Sequence, residues 1–187
     1  MLSGMSGSIY LWLGIAVLVF WCVGVYNRLM RLRARGFAAF GSVEKHLGTF
    51  DTLLQTYALA AQDGAAKTAQ SDSLPGEWAV LMEKLHALES AGKSARAAPL
   101  QPQPLAAMGL AIDAVLQEWQ LISSEPADLA GSPVPESMRI QWDDASTRAQ
   151  AARAALNLIT QRYNESLQEI PARFIVGILG FKPAGTL

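Results

Sequence analysis

The sequence predicts an all-α protein in which an N-terminal transmembrane helix continues into a cytoplasmic, antiparallel (up-down-up-down) helical bundle. Two observations lead to this prediction. The first 27 residues carry no charged side chain, and all 15 basic and 16 acidic residues follow them. Beyond this stretch, apolar residues recur at alternating steps of three and four along four segments, which is typical of amphipathic helices rather than strands.

Residues 9–26 are long enough to cross a membrane as a helix. These 18 residues, at about 1.5 Å each, extend roughly 27 Å, close to the ~30 Å hydrocarbon core of a bilayer. Tyr10 and Trp12 near one end, and Trp21 and Tyr26 near the other, suit the two headgroup layers. A cleaved signal peptide would need a basic region before the apolar run and a small-x-small site after it, and neither is present. An uncleaved anchor is therefore favoured.

A basic cluster directly follows the apolar run. We name it the basic collar, and it consists of Arg28, Arg31, Arg33 and Arg35. The positive-inside rule places the residues after the collar in the cytoplasm and the short N-terminus outside. Anionic headgroups of the lipid bilayer are the expected partner of the collar. Residues 36–187 carry more acidic than basic side chains, which excludes a nucleic-acid binder attracted by bulk positive charge.

The chain divides into four predicted parts. Residues 1–8 form a short extracytoplasmic N-terminus, 9–26 the transmembrane helix, 27–170 the helical bundle and 171–187 a hydrophobic tail. With about 160 residues beyond the anchor, the domain is large enough to bury a core of its own.

Four apolar stripes define the expected bundle core, on a spacing that favours coiled-coil-like packing. The first comprises Phe40, Val43, Leu47, Phe50, Leu54, Tyr57 and Ala61. The second comprises Trp78, Leu81, Leu85 and Leu88, and the third Met108, Ile112, Val115, Trp119 and Ile122. The fourth comprises Met138, Trp142, Ala145, Ala149, Ala152, Leu156, Ile159, Tyr163 and Ile170. The small alanines of this last stripe permit close helix approach within one chain or in a self-associated form.

Breaks between the stripes follow glycine and proline. Gly92 is expected to close the second helix. A stiff extended connection is then predicted for Pro99, Pro102 and Pro104, because proline cannot continue a helix. In an up-down-up-down bundle, successive helices run away from the membrane and back towards it. The end of the fourth helix, and the tail that follows it, should therefore lie at the membrane surface.

The tail has two interpretations that the sequence leaves open. In a two-turn helix, one face of the tail is apolar, with Arg173 and Lys182 beside it; this face consists of Phe174, Ile175, Ile178 and Leu179. Such a helix either lies in the membrane interface or closes the end of the bundle.

Catalytic motifs are sparse. Glu83 and His86 have the spacing of one ligand pair of a di-iron bundle, but the sequence holds no second pair, and a solvated helix face is favoured over a metal site. Cys22 lies inside the membrane span, where a small apolar filler is the simplest interpretation. No phosphate-binding glycine loop or nucleophile elbow occurs. We therefore expect a protein that is not an enzyme and that uses no cofactor and no metal.

Two asparagines lie next to the fourth stripe and stand apart from the apolar pattern. Asn157 and Asn164 are seven residues apart, and polar residues at this interval can set the register of packed helices. A surface for a protein partner is the alternative interpretation.

Short motifs stand at both ends of the chain, and they consist of Tyr26, Asn27, Arg153, Asn157, Tyr163, Asn164, Pro171, Gly180 and Phe181. In these motifs the chain resembles the LemA family of bacterial membrane proteins. The middle of the chain is less similar. Where the family has a basic cluster followed by Asp-Leu-Ile-Pro-Asn, residues 47–56 read LGTFDTLLQT and lack both the cluster and the proline. Leu156 and Asn157 likewise stand where the family has a Tyr-Asn pair.

The resemblance implies a single-span protein of the bacterial inner membrane, or of a membrane derived from it, with a cytoplasmic helical domain and no known enzymatic activity. Family members are associated with membrane zinc proteases of the HtpX type, and one branch, which is a candidate for this divergent chain, belongs to magnetosome organelles. The expected partners are accordingly an unidentified membrane protein, such as a protease of this type or an organelle membrane protein, besides the bilayer and a second copy of the chain.

Two functions follow from these expectations. In the first, the protein is a membrane-anchored scaffold or adaptor for membrane-associated proteins. In the second, it is a membrane-anchored sensory module whose helical domain binds a ligand. A sensory domain would be expected outside the cell, against the orientation set by the basic collar, so the scaffold is preferred.

Overall fold

The computed structural model describes residues 3–65, 76–124, 134–169, 173, 176–177 and 180–187, with side chains given from Ile9 to Tyr57 and from Trp78 onward within these ranges. This part of the chain is entirely helical apart from turns and one extended segment. The four helices are α1 (Ser3–Ala65), α2 (Gly76–Ala97), α3 (Pro102–Ser124) and α4 (Glu136–Gln168). The all-α class is confirmed.

Helix α1 joins the apolar N-terminal stretch to the rest of the protein without a break. Its 63 residues would extend about 95 Å. The large apolar side chains of the stretch are exposed, Trp12 by 67% and Phe20 by 82%. Because such a surface is unfavourable in water, a helix of this length and composition is a candidate membrane span. Helix α3 is also long and apolar enough, but much of it is buried within the protein.

The core begins at Leu29 and draws on all four helices. An aromatic chain connects them: Tyr57 stacks on Trp78 at 4.6 Å between ring centroids, and the Trp78 ring edge meets Trp119 at 6.4 Å. Trp119 then stacks on Trp142 at 4.1 Å, and Trp142 contacts Phe50 at 4.6 Å. The placement of the three tryptophans in the core is therefore confirmed.

Most residues of the four predicted stripes are buried. Those of the second and third stripes are all buried, as are Phe40 to Leu54 of the first. In the fourth stripe Ala152 and Ile159 are half-buried, whereas Leu156 and Tyr163 are buried. Ala61 and Ile170 lie outside the described side chains.

Two helix pairs make the closest packing, α1 with α4 and α2 with α3. Between α1 and α4, Arg28 pairs with Glu169 and Phe50 contacts Trp142. An ion pair also links the two helix pairs, because Glu44 of α1 binds Arg96 of α2.

Two sequence-based boundaries are wrong. Gly92 lies inside α2, which continues to Ala97. A single glycine costs a helix only about 1 kcal/mol, and burial of Leu88 and Ala95 on either side offsets this cost. Pro102 and Pro104 do not form an extended connection but lie in the first turn of α3, where the backbone N–H groups have no helical partner to lose.

The connection between α2 and α3 consists of residues 98–101. Leu100 adopts a positive φ of 67°, which is unusual for a residue with a side chain. Its side chain is buried in the core against Gly36 of α1. The contact holds this tight turn against α1.

Candidate functional site

A side-chain amide can satisfy both backbone groups of one extended residue, because its oxygen accepts a hydrogen bond and its nitrogen donates one. Helix α4 presents two such amides, Asn157 and Asn164. Two residues seven positions apart lie on one helix face, about 10.5 Å apart along the axis. This geometry suits an extended backbone running alongside the helix.

Residues 180–187, here named the C-terminal segment, occupy this position. Asn164 Nδ2 donates to the Ala184 carbonyl at 2.8 Å, and the Ala184 N–H donates to Asn164 Oδ1 at 2.8 Å. Asn157 Nδ2 donates to the Leu187 carbonyl at 2.9 Å, and the Leu187 N–H donates to Asn157 Oδ1 at 2.8 Å. Three residues of extended chain span about 10 Å, which matches seven helical residues.

Neighbouring groups hold the rest of the C-terminal segment. The Tyr163 hydroxyl donates to the Lys182 carbonyl at 3.2 Å. The Gly185 N–H donates to the carbonyl of Leu100 in the α2–α3 turn at 2.9 Å. Ala184 is buried and belongs to the core. The segment is thus fastened to α4 on one side and to the α2–α3 turn on the other.

Two glycines allow this close approach. A Cβ at Gly185 would lie 2.6 Å from the Pro102 Cα, and one at Gly109 would lie 2.8 Å from the Leu187 carbonyl carbon. Both distances are shorter than real carbon–carbon contacts, so a side chain at either position would displace the segment. At its start, Gly180 adopts a positive φ of 68°.

Several of the motif residues singled out in the sequence converge on this segment. Asn157, Tyr163 and Asn164 bind its backbone, and Phe181 contacts Tyr26 at 6.0 Å between ring centroids. Arg153 is bound instead to Asp113 of α3, and Asn27 is exposed. Pro171 lies outside the described residues.

The asparagines play a role that neither sequence interpretation included. Their amides bind the backbone of the C-terminal segment, not a facing helix. The seven-residue interval was a signal for it, but the partner is recognised through its backbone and has no sequence signature. Gly109 and Gly185 were missed for the same reason.

Of the tail's two interpretations, the described part supports contact with the helical domain. The C-terminal segment packs along α4 and contributes Phe181, Ala184 and Leu187 to the core or its edge. The predicted apolar face at Phe174, Ile175, Ile178 and Leu179 lies outside the described residues.

The four arginines of the basic collar have different surroundings. Arg28 Nη1 binds Glu169 Oε2 at 2.8 Å, and the Arg33 guanidinium lies 5.6 Å from the centre of the Phe37 ring. For Arg31 and Arg35, no ion pair is found within the described part of the chain.

Charge and burial shift two ionisation equilibria near the segment. The hydrogen bond from Arg153 holds the pKa of the Asp113 carboxyl below its usual value. Burial raises the pKa of the Tyr163 hydroxyl, although the positive charge of Arg33 acts in the opposite direction. Tyr163 therefore stays neutral at physiological pH and can donate its proton to the Lys182 carbonyl.

A cleft of about 220 Å³ lies between α1 and α2. Its lining includes Leu47 and Leu85 from the two apolar stripes, and Gly48 and Asp51 from the divergent stretch 47–56. His86 also lines it, whereas Glu83 is exposed elsewhere on α2. Among the described residues, no three potential metal ligands come together.

Comparison with known proteins does not place the chain in a family: no family model matches it, and neither a curated protein nor a solved structure is detectably similar.

Proposed function

We propose that this protein is a membrane-anchored scaffold or adaptor whose cytoplasmic helical domain positions protein partners at the membrane. The observation that carries the proposal is the continuity of α1. One helix contains both the exposed apolar stretch and, from Leu29 onward, a face of the core. A partner bound to the domain would be held at a defined distance from the bilayer.

The orientation follows from the basic collar, because arginines directly after a span favour the cytoplasmic side. We infer a single span at residues 9–26, an outer N-terminus and a cytoplasmic domain, in a bacterial inner membrane or one derived from it. Protease treatment of intact spheroplasts tests the orientation. The domain should be protected until the membrane is permeabilised, and its cleavage in intact spheroplasts would contradict the proposal.

An antiparallel, up-down-up-down bundle is the topology that best accounts for the contacts. Arg28 with Glu169, and Phe50 with Trp142, support opposite directions for α1 and α4. The short turn at residues 98–101 supports the same for α2 and α3.

The LemA resemblance supports a non-enzymatic role without a cofactor. Motif residues at the two ends of the chain meet in space: Tyr26 contacts Phe181, and Asn164 binds Ala184. We propose a divergent LemA-like protein. Its candidate partners remain a membrane protease of the HtpX type, organelle membrane proteins or a second copy of the chain.

The cleft between α1 and α2 is the surface that we assign to a protein partner. It combines an apolar floor, including Leu47 and Met82, with charged residues at its rim such as Asp51 and Lys93. Such a surface suits an apolar side chain of a partner flanked by polar groups.

Site-specific crosslinking in cells tests this assignment. A photo-reactive amino acid at Asp51, in the cleft, should give one membrane-protein adduct, identified by mass spectrometry. The same probe at Thr147, exposed on α4, is the matched control and should not give that adduct. An adduct with the protein itself would indicate a self-assembling scaffold. Equal adducts at both positions, or none, would contradict a partner in the cleft.

A further inference from the structure

A cleft of about 370 Å³ lies where α4 ends against the beginning of the cytoplasmic part of α1. Three of its lining residues belong to the basic collar, namely Arg28, Arg31 and Arg35. Helix α4 adds Arg162 and Glu165, and the residue directly after it adds Glu169. Four guanidinium groups from two helices therefore line one cleft.

The positive charge of this cleft is only partly balanced. Glu169 binds Arg28 at 2.8 Å, and Glu165 accepts a hydrogen bond from Gln161 at 2.9 Å. For Arg31, Arg35 and Arg162, no carboxylate lies within ion-pair distance in the described part of the chain.

The spacing of the arginines on α1 causes electrostatic repulsion between them when no anion is bound. Arg28, Arg31 and Arg35 are three and four residues apart, and like charges at these intervals repel each other on one helix face. Packing of α4 adds a fourth arginine, Arg162, to the same cleft, where Glu165 and Glu169 supply only two carboxylates. An anion bound between the two helices would relieve the repulsion.

The depth of the cleft indicates the source of the anion. If Tyr26 marks the edge of the hydrocarbon core, Arg31 is about 7.5 Å further along the helix axis. A headgroup layer is about 5–7 Å thick on each side of the bilayer. Arg31 therefore lies close to the level of the lipid phosphates. Arg35, about 13.5 Å from Tyr26 along the axis, approaches this level through its long side chain.

We propose that this cleft binds the phosphate of an anionic phospholipid, held by Arg31, Arg35 and Arg162. The planar guanidinium fork suits two phosphate oxygens at once, which favours arginine over lysine for this task. The proposal rests on the membrane anchoring proposed above. It differs from a general attraction of the collar because α4, distant in sequence, supplies part of the site.

Lipid binding by the full chain in detergent micelles tests the proposal. Phosphatidylglycerol and phosphatidylcholine, titrated separately, are detected on the protein by native mass spectrometry. We expect phosphatidylglycerol to bind preferentially. Arg162→Gln should weaken this binding about tenfold, which corresponds to about 1.4 kcal/mol. Arg162→Lys should restore only part of it.

The matched control is Arg148→Gln, an exposed arginine on the same helix that pairs with Asp144. It should bind phosphatidylglycerol like the wild type, and thermal melts should show that both variants fold. Equal loss in both variants, or none in Arg162→Gln, would overturn the site. Displacement of the lipid by millimolar inorganic phosphate would show a site for free anions and overturn the lipid assignment.

Flotation with vesicles separates this proposal from the one on which it rests. If the wild type does not float with vesicles, membrane anchoring itself is wrong. If it floats but binds phosphatidylglycerol and phosphatidylcholine equally in native mass spectrometry, only the phospholipid site is wrong.

Discussion

The side chain of Asn157 binds both backbone groups of Leu187, thirty residues further along the chain, at 2.9 and 2.8 Å. Asn164 binds Ala184 in the same way. Together they fasten an extended segment to a helix without reading its side chains. The segment thereby connects α4 to the α2–α3 turn.

Replacing Asn164 with alanine should release the C-terminal segment locally. The substitution leaves the amide and carbonyl of Ala184, a buried residue, without partners, which costs about 1–3 kcal/mol. Hydrogen exchange should show faster exchange at the Ala184 amide, with α2 and α3 unchanged. Gln161→Ala, at an exposed α4 residue that binds only Glu165 in the described part of the chain, is the control. Unchanged protection of the Ala184 amide would contradict the clamp.

Gly185→Ala tests whether close approach to Pro102 is required. Its Cβ would lie 2.6 Å from the Pro102 Cα, a backbone atom that cannot rotate away. We expect a loss of about 1–3 kcal/mol in the free energy of unfolding, measured by chemical denaturation. Gly41→Ala is the matched control, because nothing lies near that Cβ and alanine favours the helix. Equal stability of the two variants would show that the segment is not packed as described.

The stack of Trp119 on Trp142 should dominate the core. Trp142→Ala should cost about 3–5 kcal/mol, because it removes a fully buried ring. Trp142→Phe should cost less, since the Trp142 indole N–H has no hydrogen-bond partner among the described residues and its removal leaves no group unpaired. Denaturation measures both, and near-ultraviolet circular dichroism should lose the signal of the stacked indoles. A larger loss for the phenylalanine variant would contradict this account.

Asp113 should make stability depend on pH in the acid range. Arg153 lowers the pKa of its carboxyl in the folded protein, so the stabilisation is present above the unfolded value of 3.8 and is lost as the pH falls through the folded pKa. Asp113→Asn should cost about 0.5–1 kcal/mol at pH 7, because the pair is partly exposed.

The cost of Asp113→Asn should shrink as the pH falls below 3.8, measured by denaturation at a series of pH values. Asp143→Asn, at an exposed α4 carboxylate with no ion pair in the described part of the chain, is the control for loss of a charge that has no arginine partner. A cost for Asp113→Asn that does not vary with pH would rule out the ion pair as its source.

The local pattern of apolar residues was sufficient to predict the helices and most of their buried faces. Burial of Trp78, Met108 and Trp142 could be predicted because a helical period places them on apolar stripes, whatever packs against them. The apolar stretch before Arg28 could also be predicted, since its length and lack of charge are properties of the sequence itself. Glycine and proline were less reliable signals of helix ends: Gly92 lies inside α2 at a small cost, and Pro102 begins α3, where proline is tolerated.

Tertiary structure alone decided which surfaces meet. The binding of Asn157 to Leu187, the need for Gly185 and the approach of Arg162 to Arg31 all join residues far apart in sequence. Periodicity in the sequence does not predict such partners. A side-chain amide can bind the backbone of almost any residue in an extended conformation, and two charged residues come close only when the helices pack. The sequence therefore determined the helices and their apolar faces, and the packing of those faces determined the sites between them.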